Sequence, residues 1–137
     1  MALNLNIVRT QKSKEEEGVW VDYPLDETIK FKIARDGNKQ SMQLAADLSR
    51  KKYRNADRNM AQQTALINEV VVQTILLDWK GLTDGDEEFV YNHANALALM
   101  KDEQYHDLRD WIIMESKNMR HFIEEELKED IEQAKKS

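Results

Sequence analysis

The chain of 137 residues has no cysteine. That excludes a disulfide framework, a thiol nucleophile and any Cys-type zinc or iron–sulfur centre. Proline occurs once and glycine four times. Those glycines (18, 37, 81 and 85) are too scattered to form a phosphate-cradling loop. A long apolar run is missing as well. The richest stretch, Val70 to Leu77, is interrupted by Gln73 and Thr74 and is far too short to span a bilayer. The opening Met1 to Val8 lacks the basic start and apolar block of a secretory signal, so the expected setting is a cytoplasm.

Charge makes up 34% of the residues, and with so few breakers it points to a mainly helical chain. The charge is uneven. Residues 1–80 hold 13 Lys/Arg against 11 Asp/Glu, whereas residues 81–137 hold 7 against 15. An acidic second half repels phosphates and disfavours nucleic acid as the main partner. A basic cluster, Arg50 to Arg58, keeps a nucleic-acid-binding regulator open as an alternative, although no base-reading residues accompany it.

The expected fold is mainly α with a small N-terminal β-hairpin (α+β), forming a bundle of about four helices of which the last is long. Residues 1–17 read as a flexible lead, 18–123 as one domain, and 124–137 as a charged helical extension. Val19-Trp20-Val21-Asp22-Tyr23 alternates with Val19, Val21 and Tyr23 on one face. Pro24 to Glu27 is turn chemistry. Thr28 to Arg35 then turns Ile29, Phe31 and Ile33 inward. Asn38 is an N-cap for a helix from Lys39 to about Tyr53. Asn59 to Leu77 has the densest helical periodicity and should be the buried core helix, although Val70-Val71-Val72 suits a strand locally. Trp79 and Gly81 then read as a pivot where this helix stops, with Trp79 sealing the core. Asn92 caps a helix to about Met100, and Gln104 to about Lys135 reads as one long helix.

Catalytic and metal chemistry find no support. Asp84-Gly85-Asp86-Glu87-Glu88 fails as a calcium loop, because its sixth position is Phe89 and its twelfth is Asn95. His93, His106 and His121 have no ligand spacing on a common helical face. Neither a nucleophile elbow nor an apolar-flanked carboxylate is present. The expectation is a non-catalytic protein without cofactor or metal. What remains is surface. Trp20 alternates away from Val19 and Val21, so it either anchors a partner or is covered by the chain's own helix or N-terminal arm. Tyr23, Met114, Met119 and Phe122 complete the candidate partner-binding set, Met supplying adaptable apolar surface. Met100, Met114 and Met119 equally suit ordinary core filling.

Several motifs together resemble one family. They are Gly18-Val19-Trp20-Val21 leading a hairpin that ends in Phe31-Lys32-Ile33-Ala34-Arg35, then a polar basic helix, then Leu76-Leu77-Asp78-Trp79-Lys80-Gly81-Leu82. After these come the acidic turn Asp84-Gly85-Asp86, the Phe89-Val90-Tyr91-Asn92 helix entry and a closing helix with Phe122. Over residues 18–123 the chain resembles the tail assembly chaperones of long-tailed, lambda-like bacteriophages. The family usually shows Ser or Thr at Asn92, and Asn caps equally well. The resemblance implies binding to the tape-measure protein, recruitment of tail tube subunits, a place in the host cytoplasm and absence from the mature virion. It also implies a longer frameshifted product, for which Lys135-Lys136 permits an A-rich slippery run. A structural tail component retained in the virion is the other alternative. The amphipathic C-terminal end suits self-association.

Overall fold

The computed structural model describes Leu5 and residues 10–123. A short helix α1 (Lys12–Glu17) leads into β1 (Val19–Tyr23) and β2 (Asp26–Ile33). Next come α2 (Lys39–Lys51) and α3 (Met60–Val70). A π-helical turn (Val71–Ile75) runs directly into β3 (Leu76–Lys80). A small hairpin of β4 (Thr83–Asp84) and β5 (Glu87–Glu88) precedes α4 (His93–Lys101) and α5 (His106–Ser116). Short 3₁₀ turns flank α5, at Glu103–Tyr105 and Met119–His121.

The sheet overturns the expected helical bundle. Three antiparallel strands run in the order β1-β2-β3, and β4-β5 forms a separate ribbon, so the fold is α+β. The expected hairpin is present, but it has a third strand. That strand takes Leu76 and Leu77 from the expected end of the core helix and Asp78 to Lys80 from the expected pivot. Lys30 pairs with Lys80, Phe31 with Trp79 and Lys32 with Asp78, while Ile33 pairs with Leu76 and leaves Leu77 as a bulge. The misreading has a physical cause. Val71, Val72, Thr74, Ile75 and Leu76 are all buried with only Gln73 exposed between them, and an apolar run buried on nearly every side has no period to separate helix from strand. The π turn marks the change of state, and Leu76 has already swung to φ −85°, ψ 97°. Without β3 the hairpin would have been a marginal two-stranded ribbon.

The long final helix is corrected too. α5 stops at Ser116, whose carbonyl accepts the Asp36 N–H at 2.9 Å from the loop after β2. Asn118 then opens a new 3₁₀ turn, its side chain accepting from Arg120 N–H at 3.1 Å. The expected extension at 124–137 lies outside the described residues. So do residues 1–4 and 6–9 of the lead at 1–17. Its final part is α1, tied to the body by Gln11 N–H to Phe122 O at 2.6 Å and an Arg35–Glu15 ion pair at 2.8 Å.

Local chemistry follows the sequence more closely. Asn38, Asn59 and Asn92 each accept a backbone N–H three residues on, from Ser41, Gln62 and Asn95. On the inner sheet face Val21, Phe31 and Trp79 lie in one row against the helices. Phe31 is fully buried, which contributes about 1.5–3 kcal/mol. Around it Tyr23, Trp111, Trp79, Phe89 and Tyr91 form a continuous chain of ring contacts with centroids 5.0–6.5 Å apart. Trp79 is 5% exposed and donates its indole N–H to Phe89 O at 2.7 Å. It does seal the core, but from the sheet and not from a helix end.

Candidate partner-binding trough

Trp20 stands on the outer sheet face, opposite Lys32 and one row from Asp22, Lys30 and Lys80. It is 39% exposed, and Lys80 Nζ sits 4.2 Å above its ring. Tyr23 faces the other way, half-buried against Phe31 and Trp111. Met114 is 60% exposed and Met119 36%. Phe122 is completely buried and offers no surface. The five candidates therefore do not form one patch: Trp20 and Tyr23 lie on opposite sheet faces, and Phe122 belongs to the core. Arg50 pairs with Asp47 at 2.5 Å and Lys52 with Glu69 at 2.6 Å, so two cations of the basic cluster are already engaged.

A different surface has the shape of a binding site. α2, α3 and α5 enclose an apolar concavity of about 380 Å³, walled by Met42, Ala45, Leu66, Ile67, Val70 and Ile113. Asp36, Lys117 and Arg109 also line it. A second, shallower concavity of about 420 Å³ shares Ala45, Leu66 and Ile67 with it and runs on past Ala46, Ser49 and Ala56. The two form one trough along α2. Small side chains make its floor, and Met42, 65% exposed, makes an adaptable lip.

Asp57 lines the shallow end and an Asp36–Lys117 pair the deeper one, where Arg109 adds a further charge. Its Nε is buried without a hydrogen-bond partner, and among the described residues its guanidinium has no ion pair. A buried donor left unmatched costs about 1–3 kcal/mol. Asp36 does not answer it, lying 4.0 Å from Lys117 instead. Sequence reasoning missed Arg109, yet a signal exists. Arg109, Ile112, Ile113 and Ser116 fall at i, i+3, i+4 and i+7, which sets the Arg on the apolar face of α5. Ile112 and Ser116 are fully buried on that face.

The groups with shifted proton affinity lie elsewhere. Burial, then the nearby Asp78 charge, raises the Tyr91 hydroxyl, which donates to Leu76 O at 2.8 Å. His106 is raised by its hydrogen bond to Glu103 O and then by Asp107. Among the described residues, no three His, Cys, Asp or Glu side chains gather as a metal site, and no helix is long and apolar enough to cross a membrane. The trough is suited to holding an apolar segment.

Comparison with known proteins finds a family. A family model described as YdaY prophage protein matches residues 32–133, which include every residue of the trough. No curated protein and no solved structure matches the chain.

Proposed function

This chain belongs to the YdaY prophage protein family, and from that premise we propose that it is a non-catalytic tail assembly chaperone of a long-tailed phage. It holds apolar helices of the tape-measure protein in the host cytoplasm, helps recruit tail tube subunits and leaves before the virion is complete. The observation that carries this reading is the open apolar trough along α2, lipped by Met42 and floored by Ala45 and Ala46. Helix-in-groove recognition needs such a shape.

The magnitudes suit a holder that must also release. Burying three Leu-sized side chains supplies about 5–9 kcal/mol. Association costs about 4–15 kcal/mol in lost freedom. One trough therefore grips weakly, and several copies along a long client add up while each lets go easily. The excess of acidic charge keeps the loaded complex soluble.

Co-expression with the tape-measure protein of the same phage tests the reading. A soluble complex is expected where the tape measure alone aggregates. A tape measure equally soluble without this chain sinks the proposal. Mass spectrometry of purified particles separates the rival: a chaperone is missing from them, whereas a structural tail component is present.

A further inference from the structure

Arg109 is a cation set into an apolar wall with nothing in the described chain to answer it. We infer that the trough takes one amphipathic α-helix of a partner protein, that this helix carries a Glu or Asp at one end of its apolar stripe, and that the carboxylate pairs with the Arg109 guanidinium. This rests on the holding role proposed above and specifies the client.

Shape selects a helix over a compact ligand. The α2 wall runs from Ser41 to Ser49, about 12 Å at the helical rise, or just over two turns of a partner lying alongside. The shared residues Ala45, Leu66 and Ile67 make the trough continuous, so a compact ligand would fill one end and leave the other open. The small residues Ala45 and Ala46 let a partner backbone come close. Charge then selects the acid. Arg109 borders only the deeper end, Lys117 is already beside Asp36, and a guanidinium fork matches a carboxylate in two parallel hydrogen bonds. An acid at one end of the stripe also orients the helix.

The probe is a fluorescein-labelled helical peptide of about sixteen residues. It carries Leu at i, i+3, i+4 and i+7, with one Glu closing the stripe, and its control has Gln in place of Glu. Fluorescence anisotropy with the full chain reads both. The Glu peptide is expected to bind about tenfold tighter than the Gln peptide. Arg109→Gln should level the two, and Arg109→Lys should give an intermediate ratio. Ser49→Trp, at an exposed position that fills the shallow end, should weaken both while thermal unfolding stays unchanged. Equal affinity for both peptides with wild type, still lost in Ser49→Trp, overturns the acidic anchor and leaves the holding role standing. Binding of dodecanoate through Arg109 with no binding of either peptide makes the trough a small-amphiphile site and overturns the inference. Failure of the tape-measure co-expression with the peptide preference intact removes the holding role alone.

Discussion

Trp79 touches more of this protein's logic than any other side chain. It pairs with Phe31 across the sheet, stacks on Phe89, meets Tyr91 edge-on and donates to a backbone carbonyl. Trp79→Ala should destabilise by about 3–5 kcal/mol, read from urea unfolding at constant slope. Asn68 is the opposite case. It is 4% exposed, and its side-chain oxygen is buried without a donor. Asn68→Leu should stabilise by about 1 kcal/mol, seen as a higher urea midpoint, because the unmatched acceptor disappears. His106 supplies the pH dependence. Its folded pKa lies above the ordinary 6.5, so its contribution to stability is full below 6.5 and is lost as pH rises through the raised value. An NMR titration should place its midpoint above 6.5. Asp107→Asn should bring that midpoint part of the way back, because the larger cause is the Glu103 carbonyl.

At the scale of elements, what neighbours in sequence decide was legible and what distant partners decide was not. The hairpin and the Asn38 and Asn92 caps depend on local contacts, and they stand where alternation and cap chemistry put them. β3 depends on β2, with 42 residues lying between Ile33 and Leu76. Nothing local in Leu76 to Lys80 announces that partner. The stop of α5 at Ser116 combines a local Asn118 cap with a hydrogen bond from Asp36, far back in the chain. The trough was barely legible: of the apolar residues Leu44, Ala45 and Leu48 on α2 only Ala45 lines it, and only packing reveals that and sets Arg109 opposite. Gly81 tests the turn out of β3. Its φ is +83°, and a Cβ there would lie 2.6 Å from Thr28 O. Gly37, at φ +79°, has open space around it. Both Gly→Ala changes carry the left-handed strain of about 1 kcal/mol, but Gly81→Ala should lower the melting temperature clearly more, since backbone must also move.

For the whole molecule, one sheet holds two halves of different character. Its inner face anchors the aromatic core, and its outer face shows Trp20 under Lys80 with an Asp22–Lys30 pair at 2.5 Å. The three helices of the trough pack behind it and leave their own groove open. The late arrival of β3 has a consequence in time. During synthesis the hairpin emerges first and has nothing to lie against until α2, α3 and the π turn have followed. Closing that long loop precedes the reward of the β2–β3 ladder, which makes it the natural bottleneck of folding. Stopped-flow refolding should therefore slow when Trp79 is truncated, while a change at Leu25 in the exposed hairpin turn should leave the rate nearly untouched. A nascent chain halted before Leu76 would present the bare edge of β2, and it is in that interval that this protein would itself be most in need of a chaperone.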